Sequence, residues 1–463
     1  MMGWRIMVGH ALTLDYRTLE YRAAGKLRAV TRHVRLAVIA LFAAALLASC
    51  GGGSVSKGTP PPQGKSGSEL GQTREGGGAV PAGETPKVAL LLPMSGPFAK
   101  IGTAMRQAAE LALFEIADKG FEMTPIDTGG TPEGARRAAQ QARAAGAHLI
   151  LGPLLSGSVQ AVKEELANDD INIIAFSTDA GVAGGKVYLM GFLVQPQIER
   201  IVEYAAKQGL RRIAVVAPEG AYGNAVVAAF KLAIEKHQVS DAGTLLYTTE
   251  TADMTKVFRD FTSYDVRAGK LLRAIAKTKG KTDAKSRRAR ARAKRDIKVD
   301  VPQWDAVIIA DGGARLLLAA SMLAFYDVNP DKVQYLGTGQ WDDPTVAREP
   351  NLKGGWFAAP PPEARAKFEA KFKAQFKSEP PRIATLAYDA VALAAVLARS
   401  EGGANFGPEA IASTNGFIGL DGIFRFLPNG LSQRGLAVLE VAEDEVRMIG
   451  NAPKTFEVAT GTE

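Results

Sequence analysis

The chain has 463 residues, 46% hydrophobic and 22% charged, which is enough for two domains or one bilobed body with a large core. Its single cysteine, Cys50, excludes disulfides within the chain and argues against thiolate metal sites. The net charge of +8 is unevenly spread: residues 1–49 carry +5 and residues 277–298 carry +9, leaving about −6 elsewhere. A body-wide basic face for nucleic acid is thereby excluded, and no nucleic-acid partner is expected.

Residues 1–25 include Asp15 and Glu20, which suit an upstream start better than a working leader. A basic stretch, 26–35, then leads into the apolar run LAVIALFAAALLA and the box Leu47-Ala48-Ser49-Cys50. The run is too short to span a bilayer well, and the pattern resembles a bacterial lipoprotein signal peptide whose cysteine thiol receives the lipid. Residues 1–49 are therefore expected to be the leader and Cys50 the lipidation site. A buried helix with a chance cysteine is the alternative. Residues 50–86, dominated by Gly, Pro and Ser, cannot bury enough surface to offset their ordering entropy and read as a flexible tether.

Strands are expected at Lys87–Pro93, Met123–Asp127, His148–Pro153, Ile171–Phe176, Arg212–Ala217, Trp304–Ala310 and Gln334–Gly337. Between them lie helical patterns at Thr103–Lys119, Pro132–Ala145, Ser158–Ala167, Gln197–Lys207, Asn224–His237 and Ala314–Tyr326. Near-continuous apolar strands alternating with helices predict an α/β fold of parallel sheets covered on both faces. Gly416–Ile449, with a turn at Pro428-Asn-Gly430, predicts closing antiparallel strands, and 451–463 reads as a tail. The tract 277–298 holds eleven Lys/Arg against two Asp and no aromatic residue. It reads as a basic insertion, either a solvated extension of a helix beginning near Tyr264 or a surface for polyanions.

In open α/β sheets, binding groups gather in loops after the carboxyl ends of strands. Those loops offer Ser95, Ser156, Ser158, Ser177, Thr178, Tyr222, Asp311 and Trp341 as ligand-binding candidates. Each has a plainer alternative. The hydroxyls and Asp311 suit helix caps, and Tyr222 and Trp341 suit packing within a lobe. Only His148 and His237 follow Cys50, neither in one of these loops, so no nucleophile–base pair is in evidence. No enzyme, cofactor or metal is expected.

The ordered motifs KVALLLPMSGPFAKIGTAMRQAAELAL, LILGPLLSGSVQAV, IIAFSTDAG, IAVVAPEGAYGNAVVAAFK and DAVIIADGG resemble the type I periplasmic-binding-protein fold of leucine/isoleucine/valine-binding proteins, over nearly all of 87–450. The resemblance implies two lobes joined by three crossings, expected near Leu193–Gln197, Gly337–Gln340 and Gly402–Asn415. Lobe 1 would then hold about 87–195 and 338–405, and lobe 2 about 196–337 and 406–450. It also implies ligand contacts from Ser156 or Ser158, Tyr222 and Asp311, while the family's threonine position falls near Gly181.

The segment FSTDAGVAGGKVYLMGFLVQPQIERIVEYA is most similar to the penicillin-binding protein activators, outer-membrane lipoproteins that stimulate peptidoglycan synthases. This implies a penicillin-binding protein as partner and a lipid-anchored place on the periplasmic face of the outer membrane, with inner-membrane anchoring as the alternative. The competing function is a substrate-binding protein delivering a small amino acid to an ABC permease.

Overall fold

A computed structural model describes residues 78–456, apart from 82, 118–119, 249–253, 401–402 and 444. Cys50, the leader, most of the linker and the tail from 457 lie outside the described residues. Among the described residues no helix is long and apolar enough to cross a membrane.

The first lobe opens with five strands and three helices. These are β1 (Lys87–Leu92), α1 (Ala99–Ile116), β2 (Glu122–Asp127), α2 (Pro132–Ala144), β3 (Leu149–Leu151), α3 (Ser156–Glu165), β4 (Asn172–Ala175) and β5 (Val187–Leu189). The strands form one parallel sheet in the order β2-β1-β3-β4-β5. Residues of β1, β3 and β4 are apolar almost throughout because helices cover both faces. β2 carries Pro125, which is tolerated because this strand lies at the sheet edge. Ala135, Ala138, Ala139 and Ala142 make a stripe at helical spacing that seats α2 on the sheet.

The second lobe follows with α4 (Val194–Lys207), β6 (Arg212–Pro218), α5 (Ala221–His237), β7 (Ser240–Tyr247), α6 (Met254–Phe261), α7 (Tyr264–Arg267), α8 (Gly269–Ala276), α9 (Ala284–Asp296), β8 (Ala306–Ile309), α10 (Gly313–Phe325), β9 (Gln334–Gly337) and β10 (Trp356–Ala359). The chain then returns to lobe 1 with α11 (Pro362–Phe376), α12 (Ala384–Leu397), α13 (Pro408–Ile411) and the antiparallel sheet β11 (Phe417–Gly419), β12 (Gly422–Phe426) and β13 (Ser432–Arg434). Finally β14 (Ala437–Val441) and β15 (Val446–Gly450) add two antiparallel strands to lobe 2, whose sheet runs β15-β14-β10-β9-β8-β6-β7.

The first crossing falls between Leu193, in the lobe 1 core, and Val194, packed on the lobe 2 core. The other two differ from the expected positions. After β9 the chain stays in lobe 2 for another parallel strand, β10, and crosses at Pro360-Pro361-Pro362 instead of Gly337–Gln340. Phe368 and Phe372 of α11 then bury against Ala108 in lobe 1. The third crossing follows Arg434 instead of lying at 402–415, because Phe424 and Phe426 belong to the lobe 1 core. Lobe 1 therefore spans about 78–193 and 362–434, and lobe 2 about 194–359 and 436–450. Each lobe's core packs fully buried Leu, Ile and Phe side chains, each contributing roughly 1.5–3 kcal/mol.

The basic insertion is not a continuation of one helix from Tyr264. Three helices with turns occupy 264–296, and α9 starts anew with the Asp283 carboxylate accepting from the Ser286 amide at 2.9 Å.

Candidate functional site

Both parallel sheets share one strand order, an edge strand preceding the first, so each has a topological switch point where the connections diverge. In lobe 1 it lies between β1 and β3, and in lobe 2 between β6 and β8. The loops leaving these strands hold Ser95 and Ser156 in one lobe and Tyr222 and Asp311 in the other. These four sequence candidates therefore lie at the carboxyl edges of the two sheets.

Their local states differ sharply. Ser95 and Thr178 are exposed, and Ser156 is half-buried at the start of α3. Ser177 is buried, its Oγ accepting from the Asp179 amide at 3.1 Å, so it shapes its own turn. Ser158 lies on the buried face of α3 and its Oγ has no hydrogen-bond partner among the described residues. Tyr222 shares a hydrogen bond with the Thr338 hydroxyl at 3.2 Å. Burial, and then the negative charge of Asp311, push its phenol up to about 12.

Asp311 is wholly buried. Its carboxylate accepts from the Gly312 amide at 2.8 Å, Arg315 Nε at 3.0 Å and the Tyr247 hydroxyl at 2.9 Å. These bonds leave it anchoring the start of α10.

Trp341 faces the lobe 2 core instead of a ligand. It is fully buried, donates its indole N–H to Ile309 O at 3.0 Å and packs on Phe357. Gly337, at the end of β9, makes room for it: a Cβ there would lie 2.3 Å from the indole ring. Gly337→Ala is expected to destabilise the fold by about 1–3 kcal/mol through this clash, read as a lower midpoint in thermal unfolding by circular dichroism.

Asp127 organises the first loop without having stood out in the sequence. Its Oδ1 accepts from the amides of Met94 (2.8 Å), Ser95 (3.1 Å) and Gly129 (2.8 Å). Partial burial works against its charge, yet hydrogen bonds from Ser95, Gly129 and Met94 hold the carboxyl below its ordinary range. Gln197 similarly ties the first crossing to the loop after β9. It donates to Leu193 O at 2.9 Å and accepts from the Gly339 amide at 2.7 Å.

A charged network surrounds the crossings. Asp342, from lobe 2, is gripped by Arg365 at 2.5 and 2.9 Å and by Arg382 Nε at 2.9 Å, both from lobe 1. Arg382 also donates to Asp421 at 2.9 Å, and its guanidinium lies 4.5 Å over the Phe192 ring. Arg434, at the third crossing, places its guanidinium 5.1 Å from the centroid of the same Phe192 ring and donates to Met190 O at 2.6 Å. Burial opposes the charge of Arg382, but Asp421 and Asp342 outweigh it and raise its pKa. For Arg434 burial wins and the pKa is lowered. Asp389, beside Asp421, is fully buried with Oδ1 accepting from the Leu420 amide at 2.8 Å. Burial, and then the Asp421 charge, push it up to about 7.

The sequence profile of the periplasmic binding protein family matches residues 85–443. The chain belongs to the periplasmic binding protein family. Its architecture is the type I fold, as likeness to solved structures also shows. A branched-chain amino acid ABC transporter protein from Rhodospirillum rubrum superposes with a TM-score of 0.61 at 16% identity, covering 79% of this chain and 100% of that one. A leucine binding protein, LivK, from Thermotoga maritima gives 0.52 at 18% identity, covering 79% and 98%.

By sequence, the chain is similar to the penicillin-binding protein activator LpoA of Glaesserella parasuis serovar 5, 31% identical over 144 residues, 31% of this chain and 24% of that protein. It is also similar to the Leu/Ile/Val-binding protein BraC3 of Rhizobium johnstonii, 25% identical over 165 residues, 33% of this chain and 45% of that protein. The matches thus span less than half the length of these curated relatives.

Proposed function

We propose that this periplasmic binding protein is a cell-envelope regulator of peptidoglycan synthesis. Its partner in this reading is a penicillin-binding protein, and its lipid anchor is Cys50, on the periplasmic face of the outer membrane. The observation that carries the reading is the state of Asp311. A receptor for a free amino acid needs an acid left available for the ligand's ammonium. Here the acid at the lobe 2 switch point is fully buried and held by three protein donors. Opening it to a ligand would break charge-assisted hydrogen bonds worth roughly 1.5–3 kcal/mol each. Similarity to LpoA supports the choice of partner.

Pull-down from detergent-solubilised membranes tests this. The immobilised full chain is expected to retain a protein that labels with fluorescent penicillin, and an eluate without a labelled band would sink the reading. Amino-acid delivery to an ABC permease is the second reading, favoured by the exposed hydroxyls of Ser95 and Thr178 at the cleft edge. Calorimetry separates the two: leucine, isoleucine or valine binding at micromolar strength, about −8 kcal/mol, would favour the receptor.

A further inference from the structure

The end of lobe 2 opposite the cleft carries features that neither reading uses. Helix α9 presents Lys285, Arg288, Arg292 and Arg295 at spacings of three, four and three residues, so the four share one face over about 15 Å. Arg292 and Arg295 share Asp296. Lys285, Arg287, Arg288 and Lys294 are exposed, and no ion pair of their side chains is present among the described residues.

Beside this helix stands a group of exposed apolar side chains. Arg267 assembles it by donating to Asp300 O at 2.8 Å and Tyr326 O at 2.6 Å. That guanidinium thereby gathers its neighbours in sequence: Val266 (83% exposed), Val301 (42%) and Phe325 (66%). Asp300 lies only four positions beyond the end of α9, a reach of at most about 14 Å. Since α10 starts at the carboxyl end of β8 and runs back along the sheet, Phe325 at its far end points this group away from the cleft.

We infer that this end of lobe 2 docks on the surface of an anionic phospholipid bilayer, with α9 against the headgroups and Phe325, Val266 and Val301 entering the interface. Clustered cations alone would suit any polyanion. The adjoining apolar group favours a bilayer, because it gains only from leaving water, and residues 277–298 hold no aromatic ring on which bases would stack. The inference stands apart from the choice of protein partner. It complements the anchor proposed at Cys50, since a basic patch gives lobe 2 a second attachment to the same surface.

Co-sedimentation of the full chain with vesicles tests it, comparing phosphatidylcholine with a phosphatidylglycerol-rich mixture. Every variant keeps the same leader, so differences between variants report on this surface. Wild type is expected to favour the anionic vesicles, less so as salt rises. Each basic residue near such a surface strengthens attachment roughly fivefold, so K285A/R288A/R292A should weaken it by at least about tenfold. V266S/F325S should weaken it severalfold at unchanged charge. Both variants should melt like wild type, as their altered side chains are exposed. Either variant sedimenting like wild type overturns the proposal. So does tight binding of single-stranded DNA with no preference for anionic vesicles, which would reassign the patch to nucleic acid.

Discussion

Arg382→Ala is expected to destabilise the folded chain by about 3–5 kcal/mol, the range found when one member of a buried charge cluster is removed. The argument rests on what is left behind. Asp421 is fully buried and Asp342 nearly so, and Arg382 donates to both at 2.9 Å. Without it Asp342 keeps Arg365, but the Asp421 carboxylate loses the one cation hydrogen-bonded to it among the described residues and faces Asp389. Phe192 also loses the guanidinium stacked on it. Arg382→Lys keeps the charge but not the planar fork that reaches two carboxylates, so it should fall between wild type and Ala. Urea unfolding followed by tryptophan fluorescence gives the shift in midpoint. A shift equivalent to less than about 0.5 kcal/mol would show that the network is not holding the lobes.

Asp389→Asn is expected to reshape the dependence of stability on pH. In the folded chain burial and the neighbouring Asp421 push the Asp389 carboxyl up to about 7, whereas an unfolded aspartate titrates near 3.9. Between those values the folded state holds a proton that the unfolded state has released. Stability from this group is therefore complete below about pH 4 and declines as pH rises toward 7, by at most about 1.4 kcal/mol per unit. Above 7 the decline stops. Glu203 and Asp305, held below their ordinary range, act in the opposite sense and only under about pH 5. Asparagine preserves an oxygen for the Leu420 amide and removes the titration. Urea midpoints measured between pH 5 and 8 should fall for wild type and stay level for the variant, which becomes the more stable protein at pH 8. Parallel curves for the two would refute the assignment.

The alternation of apolar strands with helices was legible because parallel strands buried on both faces leave a continuous signal, as in KVALLL of β1. Edge strand β7, with half its residues polar or glycine, gave none, and β5 and β10 were short enough to pass as loop. The missed β10 explains the misplaced second crossing: without it the chain must leave lobe 2 after β9. In the loop following β9 the conspicuous residue is Trp341, which turns inward, while Asp342 next to it joins the lobes. Nothing local to Asp342 distinguishes the two, since its partners Arg365 and Arg382 arrive from another lobe. The loops at the switch points were foreseeable from strand order. The bonding of Asp311 to Tyr247 and Arg315 was not, because it depends on which side chains reach it in three dimensions.

The middle connection between the lobes, Pro360-Pro361-Pro362, has a mechanical consequence. Proline rings fix φ near −65°, so three in succession form a stiff strut with little torsional give. The last of them already begins α11, bracing the strut against a helix. Any change in the angle between the lobes must then be absorbed by the outer two straps, where Gly191 and Gly435 stand beside the first and third crossings. The cleft would open as a swivel on one fixed bearing, its lips moving far while the charged cluster at its root barely shifts.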